Sequence, residues 1–329
     1  MKKPIKSADL GSYLNKNKIR KLLFGSKDSK GFVPTFFLYL ILLSFGYIYF
    51  LPVLRMVVTT FMDPGDQVDP RVIWIPSRLV FDNIRVAFNS LRYVDGFYVS
   101  FMLSVVPALL QTASTAMTGY ALARFNFPLK RFWIVMVLVF YVVPGQLLTV
   151  PRYLMFLEYN FINKLTSIYL PAVLGQGLKS GIFVLIFYQF FHSYPKSIDE
   201  AAEVDGAGRL RIFSKIALPM AGPALVISII FSVVWYWNET SQMILFFGNS
   251  MADKLLFVPI TTMRTLPTRL LNFRNMMIEL FAAEGATESL TDAYSLAGAL
   301  LVILPMLILY LVMQRQFIES IERSGITGE

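Results

Sequence analysis

Six long stretches of this chain contain no aspartate, glutamate or arginine, and only one lysine interrupts them. They are residues 31–54, 96–123, 132–151, 165–195 (which holds Lys179), 216–238 and 293–314. A helix crosses a bilayer with ~20 mostly apolar residues, and each stretch reaches that length. One such helix could be the core of a large soluble protein. Six of them, nearly half of 329 residues, could not be buried by the polar sequence that remains. The stretches are continuously apolar and do not alternate, which favours helices over a transmembrane barrel. The expected fold is an all-α polytopic membrane protein with six transmembrane helices.

Composition agrees: 56% of residues are hydrophobic and 16% charged, where a soluble domain carries about a quarter charged. With no cysteine, disulfides, thiolate metal sites and cysteine catalysis are excluded, and a single histidine argues against zinc hydrolases and Ser-His-Asp enzymes. The formal charge of +9 is concentrated, since residues 1–30 hold nine Lys/Arg against two acids. Anionic lipid and topology account for such a juxtamembrane segment without a nucleic-acid partner. Placing the N-terminus inside assigns 1–30, 124–131, 196–215 and 315–329 to the cytoplasm, with 18 Lys/Arg in 73 residues, against 11 in 108 outside. The positive-inside bias therefore selects N-in and C-in. Its basic stretch is too long, and its first span too long, for a cleaved signal peptide. The organisation expected is a basic cytoplasmic segment, 1–30, followed by a transmembrane domain, 31–329, with a long outer loop at 239–292. Within that loop Thr240–Ala252 is too short to cross, and a helix is expected around Leu270–Ala283. Pro107, Pro144, Pro171, Pro223 and Pro305 lie inside spans, where proline bends helices and is also simply more frequent.

The cytoplasmic segment 196–215 differs from everything around it. Between Pro195 and Pro219 it holds four basic and four acidic residues. Ser197 and Glu200 have capping-box spacing, predicting a helix from Ser197. Ala201 and Ala202 give that helix a face on which another surface can approach closely. Gly206 and Gly208 interrupt it, and a second short helix precedes Pro219, which opens the fifth span. An amphipathic helix-turn-helix on the cytoplasmic face is the result.

Glu200-Ala201-Ala202, three residues, Gly206, nine residues and Ile216-x-Leu218-Pro219 resemble the EAA signature of ABC importer permeases. Ile198 to Ala207, with Phe213 and Ile216-Ala-Leu-Pro219, is similar to the carbohydrate-uptake, maltose-type group. Tyr120-Ala-Leu-Ala-Arg124-Phe-Asn-Phe127, Pro144–Pro151 with Tyr153, Asn163 and Leu170-Pro171, Trp237-Asn238-Glu239 and the tail from Gln314 to Gly328 resemble other parts of that family, so the resemblance spans 32–329. It departs at the basic N-terminal segment, at 249–292 and at Thr240-Ser241-Gln242. The resemblance implies a type I importer permease fold in a bacterial inner membrane. It also implies a second homologous permease, a dimer of ABC ATPases and an extracytoplasmic substrate-binding protein as partners. Coupling to the ATPase then falls to Glu200, Ala201, Ala202, Asp205, Gly206, Leu218 and Pro219, with Glu200 accepting a charge-assisted bond from the ATPase or merely closing its capping box.

The chain has no Gly-x4-Gly-Lys-Ser/Thr, so ATP and Mg²⁺ are expected in the partner ATPase and this chain is expected to be a transport subunit, not an enzyme. Polar residues at membrane depth, candidates for a substrate pathway, are Gln111, Gln146, Gln176, Lys179, Asn238 and Glu239, with Trp237 and Trp235 as stacking platforms or interfacial anchors. Lys179 either lines the pathway, paired with Glu239 or facing an acidic or hydroxyl-rich solute, or is a snorkelling inter-helix lysine. Gly175-x-Gly177 reads as a place where helices approach. The solute implied is a sugar, oligosaccharide or related polyhydroxylated compound. Two other readings stand beside it, a permease for a non-sugar solute and an ion-coupled secondary carrier. The carrier would need intramembrane acids, and the six spans contain none.

Overall fold

A computed structural model describes residues 23–26, 29–248, 264–275, 277–278 and 292–326. The chain divides into two units, 1–80 and 81–329. In the first, two-residue strands β1 (Gly25–Ser26) and β2 (Ser29–Lys30) pair antiparallel, Gly25 opposite Lys30. They are followed by α1 (Phe32–Thr60), a 29-residue helix apolar on every side and containing Pro52. Asp63 caps the short α2 (Pro64–Val68) by accepting from Gly65 N, and it also pairs with Arg78 Nη2 at 2.7 Å. Those two partners hold its carboxyl below the usual carboxylate range. Asp66 accepts from the Ser77 N–H and hydroxyl, so the segment after α1 folds back on itself.

The second unit is built around α4 (Tyr93–Arg124), a 32-residue helix that follows α3 (Asp82–Ser90). After it come α5 (Lys130–Val142), a 3-10 turn (Gly145–Leu148), α6 (Thr149–Glu158), α7 (Thr166–Val173) and α8 (Ser180–Ser193). Next are α9 (Lys196–Val204), α10 (Arg209–Met220), α11 (Gly222–Asn238), α12 (Ser241–Phe247), α13 (Leu266–Leu271) and α14 (Asp292–Ile326). The long helix α4 packs against α7, α8 and α11, while α14 packs against α3 and α11. Three buried clusters line this arrangement. Val99, Leu103 and Ala108 of α4 meet Phe156, Val233 and Phe246; Ala116, Tyr120 and Ala123 meet Phe187, Phe191 and Ala217; and Ala87 and Leu91 meet Trp237, Leu266 and Ala297.

The helical fold is as expected, but the apolar stretches are not six straight rods. Among the described residues three helices, Phe32–Thr60, Tyr93–Arg124 and Asp292–Gln316, are long and apolar enough to cross a membrane. The stretch 132–151 bends by 96° between Lys130–Val142 and Gly145–Glu158, because Val143 adopts the extended conformation (ψ 123°) that a following proline imposes and Pro144 has no N–H to continue α5. The stretch 216–238 bends by 79° at Ala221, where Gly222-Pro223 starts a new helix; Pro219 lies inside α10 and does not open the span as the sequence led us to expect. The stretch 165–195 is broken between α7 and α8, where Gly175 and Lys179 both have positive φ. Of the helix expected at Leu270–Ala283, residues 273–275 and 277–278 are described and helical, preceded by the helix Leu266–Leu271, and most of 272–291 lies outside the described residues.

The break before α8 is closed by side chains. Gln111, fully buried in α4, donates from Nε2 to Leu178 O (2.8 Å) and Ser232 Oγ (3.2 Å) and accepts from Tyr236 OH (2.8 Å). Leu178 N in turn donates to Tyr236 OH. Both polar groups of a broken backbone are thus satisfied without water. Gly177 makes this possible, since a Cβ there would lie 2.0 Å from Gln111 Oε1 and 2.2 Å from Tyr236 OH. Arg269, 1% exposed, donates to Arg264 O, Leu91 O and Arg92 O and clamps α13 onto the α3–α4 junction. We expect Gln111→Leu, which strands Leu178 O and the Tyr236 hydroxyl in an apolar core, to destabilise the protein by ~2–4 kcal/mol, visible as a lower thermal unfolding midpoint in detergent.

Candidate functional site

Two sites emerge in the second unit, a helical hairpin with a groove beneath it and a cavity beside the α7–α8 break. The hairpin is α9–α10. The first helix starts at Lys196 with Pro195 as its N-cap, and no side chain caps it. The capping box expected from Ser197 and Glu200 does not form, because Ser197 is already one residue inside the helix. The helix ends in a glycine-dependent cap in which Ala207 N bonds Ala202 O at 2.9 Å and Gly206 N bonds Glu203 O at 3.0 Å. Gly206 has φ of +80° with open space around its Cα, so left-handed backbone, not crowding, is what requires glycine there. Gly208, in extended conformation, then caps α10, which carries a π-turn at Phe213–Ala217.

The two alanines do not share a face. Ala201 is exposed, whereas Ala202 is 8% exposed and belongs to the core. Adjacent helical residues are ~100° apart, which separates them. The outward surface consists of Glu200, Ala201, Asp205 and Gly206 with Val204 and Leu210, 88% and 74% exposed. Leu218 packs on the Tyr120–Phe187–Ala217 cluster and Pro219 is exposed.

A buried ion pair holds this hairpin against α4. Arg124 Nε lies 3.2 Å from Asp199 Oδ2, with side-chain exposures of 5% and 15%. The same guanidinium donates from Nη2 to Tyr194 O at 2.8 Å and stacks 3.6 Å over the Tyr194 ring, while the Tyr194 hydroxyl bonds Asp199. Beneath the hairpin a groove of about 500 Å³ is lined by charged side chains that include Lys130, Lys196, Glu200, Glu203 and Arg209. No sequence signal joins Arg124 to Asp199, which lie in separate motifs.

The cavity, about 650 Å³, is lined by α5, the 145–149 turn, α6, the segment 174–182 and residues 235–242. Of the pathway candidates it gathers Gln146, Gln176, Lys179 and Glu239. The other three lie elsewhere. Gln111 is locked in the network that closes the break; Trp237, 3% exposed, packs edge-on to Phe97; Asn238 donates to Val234 O. It is Trp235, not Trp237, that lines the cavity, with Lys179 Nζ 4.5 Å above its ring. Lys179 and Glu239 are not ion-paired; Glu239 Oε1 instead accepts from Gln242 N at the start of α12. Tyr141, Arg152 and Ser180 also line the cavity. Arg152 reads in the sequence as a loop charge, and its place directly after the apolar stretch 132–151 is the only sign that marks it.

A family model described as binding-protein-dependent transport system inner membrane component matches residues 115–323. The chain is 27% identical over 296 residues to the arabinooligosaccharides transport system permease protein AraQ of Halalkalibacterium halodurans, covering 88% of this chain and 96% of that one. It is 26% identical over 282 residues to the diacetylchitobiose uptake system permease protein DasC of Streptomyces coelicolor, covering 84% and 91%. It is also 26% identical over 292 residues to the maltodextrin transport system permease protein MalD of Streptococcus pneumoniae, covering 89% and 94%. Among solved structures, a chain of a bacterial ABC transporter involved in the import of the acidic polysaccharide alginate has the same fold. Its TM-score is 0.66 at 17% identity over 96% of this chain and all of that one.

The ion pair gives a test of how the hairpin is held. Asp199→Ala leaves a guanidinium buried without its counter-charge and should destabilise the protein by ~3–5 kcal/mol, whereas Arg124→Met with Asp199→Leu should recover most of that loss, both read from thermal unfolding of the purified protein.

Proposed function

Since the chain belongs to the family of binding-protein-dependent transport system inner membrane components, we propose that it is the permease through which an ATP-driven importer passes a sugar or oligosaccharide into the cytoplasm. Membership implies an ATPase and a substrate-binding protein as partners, and it removes the ion-coupled carrier from contention. The saccharide substrate is supported by relatives described as permeases for arabinooligosaccharides, diacetylchitobiose and maltodextrin. It is supported too by a cavity that offers the Trp235 and Tyr141 rings with the Gln146 and Gln176 amides, the groups that pack on pyranose faces and bond hydroxyls.

Coupling follows from the hairpin. An ATPase dimer would hold the exposed surface at Glu200, Ala201, Asp205 and Gly206 in a cleft, with Glu200 meeting a basic residue there, and would itself bind ATP and Mg²⁺. A second, homologous permease would complete the pathway. When the ATPases close, the hairpin is displaced. Arg124 and Asp199 carry that displacement to α4, and the α10–α11 elbow carries it to α11. Both helices reach the Gln111–Tyr236 network beside the cavity, so one movement at the hairpin reorients the elements around the substrate.

The single observation that carries the coupling role is that Glu200, Ala201 and Gly206 of the EAA signature lie exposed on a hairpin whose Ala202 is packed inward and which Asp199 ties to Arg124. Ala201→Trp, an exposed position with no fold contact to lose, should abolish ATP-driven uptake in vesicles while the chain remains inserted and assembled. Uptake at the normal rate would overturn the coupling role.

A further inference from the structure

We propose that the solute is an acidic saccharide, and that Arg152, Lys179 and the N-terminal end of α8 receive its carboxylate; this deepens the saccharide-permease reading and rests on it. The argument is one of charge balance. Arg152 and Lys179 line the cavity, and among the described residues Glu239 is the one carboxylate beside them. Among the described residues neither cation has a carboxylate within ion-pair distance. Lys179 Nζ rests on the Trp235 face at 4.5 Å, which uses one side of an ammonium that has three donors. Glu239 is already engaged with Gln242 N.

Two further features of the same wall point to an anion. Lys179 is the N-cap of the 14-residue α8, so the positive end of that helix opens on the cavity together with Ser180 and Gly181. Ser180, 6% exposed, has a buried hydroxyl with no partner. A neutral sugar would leave one net positive charge and this hydroxyl uncompensated once water is excluded, which costs free energy. One carboxylate matches the net charge of +1 carried by Arg152, Lys179 and Glu239; a phosphate dianion would overshoot it. Gln146, Gln176 and Trp235 remain for the rest of the ring.

The test is equilibrium binding to the whole transporter, assembled with its partner permease and ATPase in nanodiscs. The probes are uronate disaccharides of gluco, galacto and manno configuration and their uncharged hydroxymethyl counterparts. We expect a uronate to bind roughly tenfold or more tightly than its neutral counterpart, and Arg152→Gln and Lys179→Gln each to erase that preference. Glu239→Gln should strengthen uronate binding, a gain that no misfolded variant produces. Equal binding of charged and neutral sugars, or a uronate preference that survives both substitutions, overturns the inference. Neutral sugars bound and uronates rejected would overturn it while leaving the saccharide permease standing; no saccharide bound would overturn both.

Discussion

A peptide backbone that breaks away from water must find its hydrogen bonds within the protein, and the arrangement around Gln111 depends on that requirement. The α7–α8 break places Leu178 where no helix can satisfy it. One amide from α4 and one phenol from α11 take over, and Gly177 leaves them room. The break then becomes useful. Lys179 and the start of α8 are turned into a cavity that an unbroken helix would have filled with its own side chains. The polar network and the site are therefore one construction, with the first fixing the geometry of the second.

At the hairpin the same economy appears with charge. Arg124 ends α4 and Asp199 lies on α9, and the Tyr194 ring and carbonyl complete the enclosure of the guanidinium. A buried pair of this kind contributes little net stability compared with apolar packing, but it fixes direction and register. The outward surface of α9–α10 stays free of that role. Force applied to one side of the hairpin thus meets a tightly held connection to α4 on the other.

Much of this was legible in the sequence. Charge-free runs revealed the helices because lipid admits so few charges, and the helix-turn-helix at 196–215 was visible because glycine and proline punctuate it. Pro144 and Pro223 marked two places where helices bend, but not how sharply. Hydropathy measures apolar length and carries no direction, so a run folded through 96° reads like a straight one. Gln111 and Trp237 were grouped with the pathway because polarity and aromaticity do not reveal which side of a helix a residue occupies; only packing turns Trp237 inward and Trp235 toward Lys179. Ala201 and Ala202 were read as one surface from adjacency, which helical geometry contradicts. Arg152 is marked in the sequence only by its place at the end of an apolar stretch, and Ser180 by nothing local, since their significance lies in what surrounds them.

The clamp at Arg269 bears on how the chain is made. Its guanidinium donates to Leu91 O across a sequence separation of 178 residues. While α3 and α4 emerge from the ribosome, those carbonyls lack the donor that will later satisfy them, because α13 has not been synthesised. Docking of α13 is therefore a late event in biogenesis. A chain truncated anywhere between α4 and α13 would keep its membrane helices yet expose an open α3–α4 junction, a distinction by which a quality-control protease could tell unfinished copies from complete ones.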